Sequence, residues 1–333
     1  MSGSVRVGLI GLGWWGGVLT EACTRAEVEV VTAWSPSAGS RQAYSERFGV
    51  ATSDGYDHVL ADDRVDAVLL ATPHSTHALQ IGQAAAAGKH VFVEKPLTLR
   101  FADGRRAVEA ARAADIILQV GHWRRRPPAL RRLKALVDSG ELGIVHYAEA
   151  NLSYPKGLTP RTGWRADRAE SPAGGMTGLG VHMADILFSL LGPAARLTAV
   201  SKRIAAVGPL DDVTSALIEY ESGPVATLTT SMVVADVART AVHGTRATAW
   251  TERDGAVLCL QHVGEQQPVV IEYPSAQADP VVEQLEEFAG CIRSGREPEV
   301  TGDVALESVA VLEAITESAE RGGWIDMNEV RRR

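Results

Sequence analysis

The stretch Gly174–Asp185, GGMTGLGVHMAD, sets a histidine and an aspartate three positions apart behind a series of glycines. An imidazole titrates near pH ~6.5, so His182 is suited to exchanging a proton with a substrate hydroxyl near neutrality. Asp185 projects from the same helical face and can orient that ring or hold a substrate hydroxyl. A second candidate is Lys95 in GKHVFVEKPLTL, directly after an apolar run that reads as a parallel strand. Ligands bind at the carboxyl ends of such strands. An ammonium there can hydrogen-bond a reacting oxygen and stabilise an alkoxide as it forms.

A third group is the loop Gly11-Leu12-Gly13-Trp14-Trp15-Gly16, a GxGxxG pattern that follows a strand and opens a helix. In that context the glycines serve a tight turn, backbone approach to a pyrophosphate, and close packing of helix on strand. The helix start then offers free N–H groups to the phosphates. Of the two tryptophans, one is expected in the core and one over the cofactor. About twenty residues on, where an acid would bind both ribose hydroxyls, the chain has Ser35, followed by Ser37 and Arg41. Hydroxyls beside a cation suit NADP better than NAD, though either nicotinamide dinucleotide fits the loop.

These residues need elements to hold them. VRVGLIG, VEVVTAWS, VDAVLLATP, HVFVEKP and IILQVGHW read as buried strands, with helical stretches such as STHALQIGQAAAAG and FADGRRAVEAARAAD between them. That alternation predicts a doubly wound parallel sheet, an α/β Rossmann domain over residues 1–122. Thr72, Pro73 and His77 lie just past the third strand, and Glu94 and Lys95 past the fourth, so all five are cofactor-side candidates. From residue 123 to 333 the pattern changes to helix PALRRLKALVDSG, strand VHYAEANLSY, a loop rich in Gly, Pro and Arg, and a helix from about Gly180 to Leu191. The strands LTAVSKRIAAV, VTSALIEY, VATLTTSMVV, ATAWTER, VLCLQHV and PVVIEY follow with short connections. They predict a second, α+β domain with a large, mostly antiparallel open sheet. Helices over Val281–Ser294 and Asp303–Arg321 close the chain.

Composition sets further bounds. The chain has 333 residues, 45% hydrophobic and 22% charged, with a formal net charge of −8. That balance speaks against a nucleic-acid or membrane-surface role. The apolar N-terminal stretch lacks the basic leader and cleavage site of a signal peptide, and no run has the length of a membrane span. Cys23, Cys259 and Cys291 are odd in number and lack CxxC spacing. They fit buried thiols in a reducing cytoplasm, with neither a disulfide framework nor a metal site. The arginine run at 331–333 reads as a solvated tail. Of Arg124, Arg125 and Arg126, at least one, with Arg125 the choice, is expected to meet substrate while the others are solvated.

With GLGWWG, VDAVLLATPHSTH, GKHVFVEKPLTL and GVHMAD in that order, the chain resembles the Gfo/Idh/MocA oxidoreductases over nearly its whole length. ELG at 141–143, WRAD at 164–167 and VLEAITESAERGGWI near the end add to the likeness. The resemblance implies NAD(P)-dependent hydride transfer on a hydroxyl or ketone of a sugar, polyol or sugar-like substrate. It also implies a homodimer or homotetramer built through the second domain's sheet. Lys95 and His182 match its catalytic lysine and histidine. The chain departs at Gly178, where many polyol dehydrogenases of the family carry an aspartate. A glycine cannot bind a hydroxyl, so Asp185 becomes the nearest orienter and a larger substrate has room. Trp123 is a second departure, an aromatic where relatives often have a polar residue. With Tyr154, Trp164 and Arg165 it completes the candidate substrate contacts. Two rival readings share these residues: a nicotinamide-binding sensor without turnover, and an enzyme that oxidises its substrate transiently around an elimination or hydrolysis.

Overall fold

The computed structural model describes residues 3–274 and 279–333. In chain order it runs β1 (Val5–Ile10), α1 (Trp14–Cys23), β2 (Val28–Trp34), α2 (Ala38–Phe48), α3 (Tyr56–Leu60), β3 (Ala67–Leu70), α4 (His77–Ala86), β4 (His90–Val93), α5 (Phe101–Ala113) and β5 (Leu118–Val120). Then come α6 (Pro128–Asp138), β6 (Val145–Ser153), α7 (Val181–Leu191), β7 (Ala194–Lys202), β8 (Val213–Tyr220), β9 (Val225–Ser231), β10 (Val237–Gly244), β11 (Ala247–Glu252), β12 (Val257–His262) and β13 (Val269–Glu272). The chain closes with α8 (Pro280–Ser294), α9 (Gly302–Arg321), β14 (Ile325–Asp326) and α10 (Met327–Arg331).

Two compact units emerge. One holds the chain through Thr98, Ala102–Trp123 and the α8 region through Leu306; the other holds Leu99–Phe101, the chain from Arg124 through β13, and Glu307–Arg333. The division is therefore not a single cut near 122. Helix α8 belongs with the first unit because Leu285, Phe288 and Ala289 are fully buried in one core with Val7, Leu9 and Phe92. The Phe92 and Phe288 rings meet edge to face at 5.9 Å.

The first unit is a parallel sheet of order β2-β1-β3-β4-β5. All residues of β3 are buried, as a parallel strand covered on both faces requires. The order in which strands are added reverses between β1 and β3, and the crevice at such a switch point is where doubly wound folds bind ligands.

The second unit is a nine-stranded sheet, β13-β12-β11-β10-β6-β9-β8-β7-β14. Its pairs are antiparallel except β6 with β9. Alternation sorts its faces: Leu197, Ala199, Ala216, Ile218, Ala226, Leu228, Ala148 and Ala150 are buried, while Val200 is 59% exposed and Leu217 39% exposed on the opposite face. Helix α7 packs on β6 and β9, and α6 on β11 and β12. β10 escaped the sequence reading because VARTAVHG lacks a clean alternation of apolar and polar residues. Its place between β6 and β11 makes it a strand, a case of pairing overriding local preference. The terminal arginines are not a free tail: Arg331 pairs with Glu307 and Glu221, and Arg333 with Glu313.

Asp212, at the entry to β8, is buried, and its Oδ2 accepts the backbone N–H groups of Ile204, Ala205 and Ala206 at 2.5–2.9 Å. Burial alone would raise this carboxyl; the three donors outweigh it and hold it below the usual aspartate range. Its stabilising effect is complete above the unfolded aspartate pKa of ~3.9 and is lost as pH falls below that value. Asp212→Asn should cost about 1–3 kcal/mol at pH 7, the scale of a disturbed buried charged hydrogen-bond acceptor. The difference from wild type should shrink toward pH 3 in urea denaturation. An equal difference at both pH values would contradict this origin.

Candidate active site

The glycine loop shows which of its members the protein itself needs. Gly11 sits at φ +97, and a Cβ there would lie 2.5 Å from the Ala71 carbonyl oxygen. A Cβ on Gly16 would lie 2.2 Å from the Gly11 carbonyl oxygen. Both are demanded by backbone packing of α1 and β3 against the β1 turn. At Gly13 a Cβ would meet nothing within 4 Å, yet this residue caps α1, whose first N–H groups have no side-chain cap. Space kept open at a helix start, with orphan donors beside it, is what a pyrophosphate requires, so the chain fits a dinucleotide. Trp14 is 74% exposed and Trp15 packs against the core, its ring 5.3 Å from that of Trp14. One tryptophan thus serves the core and the other stands open to solvent.

At the exit of β2, Ser35 is buried and Ser37 caps α2 by accepting the Ser40 N–H. Ser37 is thus engaged in the fold. The Arg41 guanidinium folds back to donate to the carbonyls of Ser35 (2.8 Å) and Pro36 (3.2 Å). This holds a cation beside the position where an acid would have stood.

His77 is placed differently from its reading as a cofactor-side residue. It is completely buried, with Nδ1 3.0 Å from the Pro96 carbonyl and 3.2 Å from that of Leu97, and Nε2 3.2 Å from the Thr72 carbonyl. It ties the segment after Lys95 to the end of β3 and acts as a positioning residue. Thr72 and Thr76 share a buried network with Gln80, a residue that sequence reading did not single out. Glu94 is buried over Gly121, where a Cβ would come within 2.8 Å of Oε1. The Lys95 turn is thereby fixed from both sides, with a cis Lys95–Pro96 bond.

In the second unit, Met176–Gly180 forms a single π turn that runs into α7, and His182 is buried in the first turn of that helix. Single π turns recur at functional positions because they re-aim side chains. Gly175 and Gly180 have no room for a side chain: their Cβ atoms would meet Met232 and Met176. Gly178 is different, with nothing within 4 Å of a Cβ.

Asp185 has a role that spacing did not reveal. It is 1% exposed and takes the Arg125 guanidinium on both oxygens, from Nε at 2.5 Å and Nη2 at 2.6 Å. Asp185 and Arg125 are thus engaged with each other. The expectation that the arginines beside Arg125 are solvated fails. Arg124 is buried, forks onto Asp254 and donates to the Tyr154 hydroxyl at 2.9 Å, while Arg126 is 5% exposed. Burial comes first in raising the Tyr154 phenol, against the pull of Arg124. Trp123 and Arg125 stand on one short 3-10 turn, and the Arg165 guanidinium lies 4.1 Å over the Trp164 ring.

A phosphate cradle at the switch point of a 2-1-3-4-5 parallel sheet, with a fixed lysine turn on the same sheet, defines a nicotinamide-dependent Rossmann oxidoreductase. Residues 5–122 match an oxidoreductase family with an NAD-binding Rossmann fold, Gfo/Idh/MocA, and residues 130–250 match that family's C-terminal domain. The chain belongs to the Gfo/Idh/MocA family. It is 31% identical to scyllo-inositol 2-dehydrogenase (NAD(+)) of Bacillus subtilis, covering 91% of this chain and 90% of that protein. It is 30% identical to 1,5-anhydro-D-fructose reductase of Ensifer adhaerens, over 88% and 90% of the two chains. Among solved structures, a candidate NADPH-dependent oxidoreductase from Desulfitobacterium hafniense superposes with a TM-score of 0.92 at 29% identity, covering 99% of this chain and 100% of that one. Among the described residues no helix is long and apolar enough to cross a membrane, and no His, Cys, Asp or Glu group is arranged to hold a metal.

The Arg125–Asp185 pair can be tested by a double-mutant cycle. Arg125→Leu should destabilise by about 3–5 kcal/mol, because it strands a buried carboxylate. Adding Asp185→Leu should recover much of that loss. Additive single effects in denaturant titrations would show the two side chains to be uncoupled.

Proposed function

We propose that this enzyme interconverts a hydroxyl and the matching ketone on a sugar, polyol or sugar-like molecule, with NADP preferred to NAD. The observation that carries the reading is one sheet that joins an open phosphate cradle at Gly13 to a lysine turn held by His77 and Glu94. The names of the two curated relatives support a polyol or sugar substrate. Arg41, tethered beside Ser35, supports the choice of NADP, since a cation there favours a 2′-phosphate that a carboxylate would repel.

Gly11, Leu12, Gly13 and Gly16 hold the pyrophosphate, with Thr72 and Pro73 near it, and Trp14 covers the cofactor. Bound nicotinamide supplies the hydride acceptor or donor. Lys95 hydrogen-bonds the substrate oxygen and stabilises its alkoxide, and His182 exchanges the hydroxyl proton. Asp185 acts by holding Arg125, and Tyr154, Trp123, Trp164 and Arg165 shape the substrate side. The open volume at Gly178 favours a substrate larger or differently placed than one bound by an aspartate at that position. Self-association through the exposed sheet face around Val200 and Leu217, as a dimer or tetramer readable by light scattering, is part of the proposal. So is a cytoplasmic location, supported by three buried cysteines outside any disulfide.

Lys95→Met should lower kcat by about 10²–10³ while sparing cofactor affinity, as for loss of one preorganised oxyanion donor. His182→Ala should lower kcat by about 10²–10⁴ and flatten its pH profile where imidazole titrates. Full activity in both variants, assayed by nicotinamide absorbance across a polyol and sugar panel, would overturn the assignment.

Cofactor choice is tested separately at Ser35. Wild type should bind NADPH more tightly than NADH, and Ser35→Asp should reverse that order in fluorescence titrations. An unchanged order would remove Ser35 and Arg41 from cofactor selection.

A further inference from the structure

The loop after β6, from Tyr154 to Arg168, carries four cations, Lys156, Arg161, Arg165 and Arg168, of which Arg168 pairs with Asp211. Arg161 is half-buried, and its guanidinium has only the Met232 sulfur as a side-chain partner among the described residues, at 3.5 Å. A thioether is a weak acceptor and brings no negative charge. Burial holds this arginine below its usual range, and no carboxylate acts to raise it. Lys156 likewise has no ion pair among the described residues; its ammonium lies 5.3 Å over the Tyr154 ring. Partial burial and then Arg161, Arg165 and Arg124 hold it below the usual lysine range, with Asp236 as the one acid opposing them.

Arg161 also borders a cavity of about 130 Å³ whose other walls are Pro160, Ala166, Val207, Pro209, Leu210 and Met232. The far wall is rigid, because Asp212 fixes the backbone of Ile204–Ala206 that leads into it. The same Met232 that touches Arg161 fills the space over Gly175, and Gly175 caps the π turn leading to His182. Arg161 thus lies one side chain, Met232, away from the turn that leads into the proposed proton-transfer helix. A desolvated guanidinium against apolar walls, with further cations next to it, is costly unless an anion answers it.

We propose that Arg161, with Lys156 and Arg165, forms an oxyanion subsite, and that the substrate is a sugar-like molecule bearing a carboxylate or a phosphate. This rests on the oxidoreductase reading above and narrows its substrate class. The planar fork of Arg161 can take two oxygens at once, and Lys156 adds a point charge.

The test is calorimetric titration of the whole protein, with and without NADPH, using D-gluconate, D-glucose 6-phosphate and D-glucose. At least one anion should bind wild type about tenfold or more tightly than glucose, and which one does so distinguishes carboxylate from phosphate. That advantage should fall about tenfold in Arg161→Met, less in Arg161→Lys, and partly in Lys156→Gln. NADPH affinity should be equal in all four proteins. Equal affinity for glucose and both anions, no saturable anion binding, or an advantage that survives Arg161→Met would each overturn the subsite. Absence of both NADPH and NADH binding to wild type would instead remove the oxidoreductase reading, and the titrations without cofactor keep the two failures apart.

Discussion

Charge taken out of water must be answered by charge or by donors, and this constraint organises the second unit more than any single apolar contact. Asp185 is answered by the fork of Arg125 and Asp212 by three consecutive backbone amides. Glu313, 7% exposed, accepts from the Phe101 amide at 2.7 Å and from Arg333 at 3.0 Å. Each pairing joins segments distant in sequence or pins a loop. The helix bearing His182, the loop before β8 and the C-terminal turn are all fixed in this way. Against that background Arg161 stands out, since among the described residues only a sulfur faces its half-buried charge.

The first unit obeys a different constraint, the hard-core distance between backbones. Gly11 and Gly16 allow β1, the start of α1 and the end of β3 to approach more closely than any side chain permits. Gly13 is not used in that packing, so the space beside it remains open at the start of α1. His77 and Glu94 extend the same rigidity to the Lys95 turn, one through three backbone carbonyls and one through close packing on Gly121. A cofactor cradle and a lysine are thus presented by one stiff sheet, which suits chemistry sensitive to misplacements of an ångström.

The substrate side follows other rules. The π turn at Met176–Gly180 leaves position 178 open, with nothing within 4 Å of where a Cβ would stand. The loop that follows β6 carries four cations. Side chains on such a loop can change which ligands are stabilised without altering the scaffold.

Much of this organisation was written locally and was therefore readable from the residues alone. Strand–helix alternation, the glycine spacing at 11, 13 and 16, the Glu94-Lys95-Pro96 turn and the helix carrying His182 depend on short-range backbone rules and on burial periods. They fixed the fold class, the dinucleotide cradle and the family. Side-chain partnerships depend on which distant segments the closed fold brings together, and no spacing rule encodes that. Asp185 shares a helical face with His182, and its carboxylate also takes the guanidinium of Arg125, sixty residues earlier. His77 follows a strand end as a cofactor contact would, yet its ring is engaged by the backbone of residues 72, 96 and 97. Strand β10 has little intrinsic signal and exists because β6 and β11 flank it. Arg161 looked like one more loop arginine; only tertiary packing removes it from water and leaves it facing a sulfur, because desolvation is a property of the assembled surface.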